Sequence, residues 1–144
     1  MWRNIKITHE FFLILTLLFL AFLLRLYDLD LRPLHHDESL HSFYSWVLAE
    51  GGGYSHTPMM HGPLQFQFNA LIFRIFGDSE FTSRLLYASI GSIIVIMPFW
   101  LKPYMSKFSI VLASIMLTIS PSLLYFSRFS RNDILMAFLI MGLI

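Results

Sequence analysis

The string Pro33-Leu34-His35-His36-Asp37-Glu38-Ser39-Leu40-His41 puts two carboxylates beside three imidazoles. A carboxylate next to an acceptor hydroxyl can take its proton as a general base. The imidazoles add a second option, because His and carboxylate together suit Zn, Mn or Fe. His35, His36 and His41 are the candidate metal ligands. However, no His-Glu-x-x-His is present, and His36 and His41 stand five apart, off one helical face. A simpler role also fits Asp37, since an acidic side chain at a helix start accepts an amide hydrogen bond worth about 1 kcal/mol. Such a cap needs one carboxylate and leaves His35, His36 and Glu38 unexplained. Spacing alone leaves both roles open.

A second group lies in Tyr125-Phe126-Ser127-Arg128-Phe129-Ser130-Arg131-Asn132-Asp133. Arg128 and Arg131 could grip a phosphate through bidentate hydrogen bonds, with Asp133 beside them. The plainer alternative is that arginines at the end of an apolar stretch meet lipid headgroups.

The elements that must position these residues are apolar. The 144-residue chain is 56% hydrophobic and 13% charged, with a mean hydropathy of +0.65, against about 45–50% and about 25% for a soluble domain. The absence of cysteine excludes a disulfide framework, a zinc-thiolate site, an iron–sulfur cluster and a thiol nucleophile. Lys and Arg are thinly spread and the net charge is only +1, which argues against a nucleic-acid partner. No Gly-rich turn sits in an alternating strand–helix pattern, so a nucleotide-binding fold is not expected.

The pattern predicts an all-α, polytopic membrane protein. A spanning helix needs about 20 mostly apolar residues, and three stretches supply them, at about 8–27, 85–101 and 108–127. The first runs through Tyr27 if Arg25 snorkels to the interface, and Pro121 should kink the third. A fourth apolar stretch, 134–144, reads as a span cut short, so residues 1–144 read as the N-terminal part of one larger membrane domain. Arg3 and Lys6 precede the first span, but no small-x-small cleavage site follows it, which favours an uncleaved anchor.

Orientation follows from charge. Arg3, Lys6, Lys102 and Lys107 mark the cytoplasmic side, whereas 28–84 holds Arg32, Arg74 and Arg84 against seven acidic residues. A multi-pass protein of the cell membrane results, with its N-terminus inside and loop 28–84 outside. That loop contains two helical patterns. Leu40, Phe43, Tyr44 and Val47 recur at helical spacing between 38 and 50, opposite Glu38, Ser42 and Ser45, and Gly51-Gly52-Gly53 ends the run. The apolar face should lie on the membrane surface or on the spans. Gly62-Pro63 to Gly77 has the punctuation of a second helix, although its polar positions share no single face and a short strand is the alternative.

Taken in order, these features carry a resemblance. A span is followed by Pro-x-x-x-Asp-Glu, an amphipathic helix and a Pro-led helix. Then come Phe-Gly-Asp-Ser-Glu-Phe-Thr-Ser-Arg-Leu at 76–85, a span, and a span ending Ser-Pro-Ser-Leu-Leu-Tyr-Phe-Ser-Arg. From Trp2 to Asp133 the chain resembles the start of GT-C membrane glycosyltransferases. It is similar to the protein O-mannosyltransferase and lipid A aminoarabinose transferase group, and most of all to the prokaryotic flippase activity-associated proteins of the Agl type.

The resemblance implies sugar transfer from a polyisoprenyl-phosphate donor to a protein, lipid or glycan acceptor at the outer face. It gives Asp37 the role of base and makes Glu38 the second acid. It puts His61 where relatives carry a donor-phosphate Lys before Pro, and it marks Arg84 as a hallmark position. Arg or a metal would stabilise the phosphate leaving group, so a divalent metal is the only cofactor expected at all. The alternative is a non-catalytic component of lipid-linked sugar export. A transporter is disfavoured, because the second and third spans contain no charge.

Overall fold

A computed structural model describes residues 9–55 and 62–143. All regular structure among them is helical: α1 (His9–Leu26), α2 (His36–Ala49), α3 (Pro63–Phe76), α4 (Glu80–Ile94), a 3₁₀ turn (Met97–Leu101), α5 (Lys107–Ile119), α6 (Pro121–Ser127) and α7 (Asn132–Gly142). Two units are long and apolar enough to cross a membrane, α1 and the continuous stretch Glu80–Leu101. The pair α5–α6 makes a third only if it is counted as one span, because its halves meet at 57°. Sequence reasoning expected a kinked helix over 108–127; the break is sharp enough to make two helices.

Local sequence explains the breaks. Ser79 accepts from the Thr82 amide at 3.0 Å, and the Thr82 hydroxyl caps the Ser79 amide in return at 2.8 Å, so α4 starts at a reciprocal cap rather than at the first uninterrupted apolar run. Ser120 caps α6, with Pro121 at its first position. Proline has no N–H to give the carbonyl four residues back, and that carbonyl is Leu117. Arg25 supplies the missing donor, Nη2 to Leu117 O at 3.2 Å, while its Nη1 reaches Ala21 O at the same distance. Arg25 is fully buried. Arg25 therefore does not snorkel, and its two terminal nitrogens serve these carbonyls inside the bundle.

α4 lies at the centre and packs against α1, α3, α6 and α7. Tyr87, Ile94, Met97 and Ile134 form one buried cluster, and Leu17, Ala21 and Val95 another. α1 keeps most of its apolar surface outward, with Phe12, Phe19 and Leu23 all more than half exposed. At one end of the bundle Glu10 pairs with Lys102, and with Lys107 at 3.0 Å, tying the start of α1 to the link before α5.

Gly91 sets the α4–α6 approach. A Cβ there would stand 2.3 Å from the Ser127 Cβ and 3.3 Å from the Arg25 Nε. The Ser127 side chain cannot swing away, because the colliding atom is its own Cβ. Gly91→Ala is expected to cost about 1–3 kcal/mol through overpacking, read as a lowered unfolding temperature in detergent. A neutral result would mean that α6 slides freely along α4.

The apolar face of α2, expected on the membrane surface or on the spans, turns largely outward. α2 buries Glu38, His41, Ser42 and Ser45, which is its polar face. Phe43 and Trp46 are 56% and 40% exposed. α3 behaves alike: Gln65 and Asn69 are buried with Phe66, Ala70 and Phe73, while Leu64, Phe68, Leu71 and Ile75 form an exposed stripe. On α3 the apolar residues are thus divided, with Phe66, Ala70 and Phe73 packed inward and the stripe facing out. Gln65 bonds to His41 across the pair, Asn69 and Glu38 bond to Tyr87 and Arg84 of α4, and Arg74 closes the pair by donating to Ala49 O at 2.9 Å at the end of α2.

Candidate functional site

The end of the bundle opposite Glu10 gathers the last turn of α1, the starts of α2 and α4, and the α6–α7 connection. Its organiser is Glu38. Oε1 accepts from Arg84 Nε at 2.8 Å and from the Ser130 amide at 2.9 Å. Oε2 accepts from Arg84 Nη2, Arg32 Nη2 and the His35 amide, each at 3.0 Å. Arg84 spends its remaining donors on Leu29 O at 2.9 Å, Arg32 O at 2.7 Å and Pro33 O at 3.2 Å. Glu38 and Arg84 are both essentially inaccessible.

Burial pushes the Glu38 carboxyl up, but the Arg84 guanidinium and the His35 and Ser130 amides outweigh it. The group is held below the ordinary carboxylate value of 4.5. Glu38 was expected as a second reacting acid. Its oxygens are instead saturated by five donors, more than the roughly four lone-pair sites a carboxylate has, so it is a buried tie with nothing left for a substrate.

Asp37 is placed differently. The α2 cap is His35, whose Nδ1 accepts from the Asp37 amide at 3.4 Å, with Glu38 completing the reciprocal bond. Asp37 is therefore released from the capping role that its sequence position suggested. Its carboxylate is 45% exposed and stands 3.6 Å from Arg131 Nη1, while Arg131 Nε is 3.6 Å from Asp133. The structure thus brings together three residues named from sequence on two distant segments, Asp37, Arg131 and Asp133. Arg131 lies between two carboxylates, which neutralise it.

Arg128 takes a separate position. Its Nη1 donates to Leu24 O in the last turn of α1 at 3.1 Å, and its Nη2 to Asp28 O just past that helix at 2.8 Å, which also accepts the Leu31 amide at 3.3 Å. Asp28 has φ +48°, the left-handed conformation that ends that helix. Arg128 has no carboxylate partner among the described residues. With Asp28, Arg32, Arg84 and Tyr125 it lines a cleft of about 330 Å³. Arg32, whose side chain is 47% exposed, lies over the Phe129 ring with its Cζ 5.0 Å from the centroid. Arg32, Arg84 and Arg128 stand here against Glu38 and Asp28, three cations to two carboxylates.

The histidines do not converge. His35 caps α2 and packs on Phe129, with 5.7 Å between ring centroids. His36 is exposed. His41 is buried, stacked on Phe66 and bonded to Gln65. No three His, Cys, Asp or Glu side chains among the described residues are grouped to hold a metal. His61 lies outside the described residues. Sequence reasoning missed Arg32, seen there only as a loop charge, and the tie from Arg84 to Glu38. The signal available for the second was the pairing of one arginine at the start of a span with an acidic pair on the same side.

The class these observations define is an all-helical protein with two or three helices able to span a membrane and a charged, cleft-bearing end. No protein-family model, curated protein or solved structure matches the chain.

Proposed function

We propose that the chain serves a GT-C-type glycosyltransferase activity that moves a sugar from a polyisoprenyl-phosphate donor to an acceptor hydroxyl at the outer membrane face. The observation that carries this reading is the separation of two adjacent carboxylates into different roles. Glu38 is buried and saturated, whereas Asp37 is accessible, freed from capping, and at the same end as a cationic cleft. In this reading Asp37 removes the acceptor proton as the acceptor oxygen attacks the anomeric carbon. The bond from that carbon to the phosphate oxygen breaks, and the departing phosphate takes the electron pair. Arg128 stabilises it, being the local cation with no carboxylate partner among the described residues. Arg131 orients Asp37. A donor that lies in the bilayer suits a chain whose apolar helices reach this end of the bundle.

Three spans are part of the proposal, α1, Glu80–Leu101 and the bent α5–α6 pair, with α7 as a fourth and the N-terminus cytoplasmic. Cysteine introduced at Ser55 should react with a membrane-impermeant maleimide in intact cells. Reaction only after permeabilisation would reverse the orientation.

The functional test is donor kinetics with protein in membrane vesicles. Arg128→Ala is expected to raise the donor KM at least about tenfold, as for loss of a charge-assisted contact. Arg131→Ala should chiefly lower kcat. Unchanged kinetics for both would assign the arginines to lipid headgroups. Donor binding without transfer by the unmodified protein would favour a non-catalytic role in lipid-linked sugar export.

A further inference from the structure

A second cleft, about 270 Å³, opens where α2, α3 and the start of α4 meet. Phe43 and Trp46 of α2 and Phe73 of α3 supply aromatic walls, and Ser42, Asp78 and Ser83 supply oxygens. It is distinct from the site above: at 100° per residue, Trp46 lies on the opposite side of α2 from Asp37. Ser42 is 8% exposed, yet its Oγ has no hydrogen-bond partner among the described residues. A buried hydroxyl left without a partner loses roughly 1–3 kcal/mol, so a polar ligand in this cleft would recover what the fold leaves unmet.

We propose that this cleft binds a neutral saccharide. Its chemistry selects that class over the alternatives. Among the described residues no Lys, Arg or His lines it, and Asp78 would repel a phosphate, which disfavours phospholipid headgroups and the donor phosphate. A carboxylate accepts strong hydrogen bonds from hydroxyl groups, and serine hydroxyls both donate and accept. These are the partners a polyol needs. The flat aromatic walls suit the C–H face of a pyranose ring, and the Trp46 indole joins an apolar body to an N–H donor. A quaternary ammonium would use the aromatic walls and Asp78, but would leave the Ser42 hydroxyl unsatisfied. The volume falls just below the range of about 300–1,000 Å³ typical of small-molecule sites, which suits a ligand of one or two sugar rings. The proposal does not depend on the transferase reading, because it concerns binding in the absence of donor.

The chain has three tryptophans, so Trp2→Phe with Trp100→Phe leaves Trp46 as the reporter. The full chain in lipid nanodiscs, which avoids sugar-based detergents, is titrated with methyl α-mannoside, methyl β-glucoside and methyl β-galactoside. At least one should give a saturable change in Trp46 emission at millimolar concentration. Asp78 is exposed, so Asp78→Ala should leave unfolding unchanged while weakening that binding about tenfold or more. Ser42→Ala should weaken it as well. Saturation by choline but by no glycoside would overturn the proposal. So would silence toward all three glycosides, or equal affinity in Asp78→Ala.

Discussion

Asp37→Asn is expected to lower sugar transfer by about 10²–10⁴-fold, the range for removing a general base, while leaving the unfolding temperature within error. The second half of that expectation comes from the structure. A carboxylate at the start of a helix is ordinarily suspected of capping, and its loss would then cost about 1 kcal/mol. Here His35 and Glu38 make the cap between them, and Asp37 contributes only an amide to it. Its side chain is half accessible, and its one ionic neighbour among the described residues is Arg131 at 3.6 Å, longer than a good charge-assisted hydrogen bond. An exposed pair of this kind contributes about 0–1 kcal/mol. Asparagine keeps the shape and a hydrogen-bonding oxygen but takes no proton at neutral pH. The experiment is a paired measurement of transfer rate and thermal unfolding. A variant that transfers normally would leave Asp37 as a surface charge and remove the base from the account.

Glu38→Gln should do the reverse and act first on stability, by about 3–5 kcal/mol, because it leaves the Arg84 guanidinium charged in a site that excludes water. That is a large part of the 5–15 kcal/mol a domain typically has. The loss should be structural in origin, since Glu38 holds the start of α2, the start of α4 and the α6–α7 turn through a single side chain. Acid should mimic the substitution. The folded-state carboxyl titrates below its ordinary value of 4.5, so the stability it confers is complete above that value. It drains away as pH falls through the lower folded-state value. Unfolding of Glu38→Gln should therefore depend less on pH in that window than unfolding of the unmodified protein. Equal acid sensitivity in both would place the relevant carboxylate elsewhere.

Much of the architecture was legible because long apolar stretches permit few structures. A chain without charge over 85–101 or 108–127 has little choice but helix, and Gly62-Pro63 and Gly77 mark the ends of α3 as the bonded structure does. Two kinds of feature were not legible. The first is direction: the sequence leaves the apolar face of α2 free to lie on the membrane surface or on the spans and offers no single polar face on α3, whereas both helices bury polar groups and present Phe43, Leu71 and Ile75 outward. Periodicity identifies a face, but the nature of what covers it depends on the surroundings. The second is long-range pairing. Arg25, Arg84 and Arg128 all look like boundary charges in sequence. Each is occupied with backbone carbonyls of a segment distant in the chain, and nothing local announces such partners. The meeting of Asp37 with Arg131 and Asp133 was suggested only in outline, by both segments falling at the same end of their spans.

The central claim is that the accessible carboxylate and the cationic cleft at this end carry out glycosyl transfer. It is tested most directly by following the donor itself. The full protein in liposomes is given a polyisoprenyl-phosphate donor labelled in the sugar, together with candidate hydroxyl acceptors. Appearance of sugar-free polyisoprenyl phosphate and of labelled acceptor is measured over one turnover, beside Asp37→Asn. The account predicts that both products form together with the unmodified protein, and that both are lost with Asp37→Asn although the donor still binds. A donor that binds the unmodified protein and is never discharged, or is discharged equally well by Asp37→Asn, would contradict it.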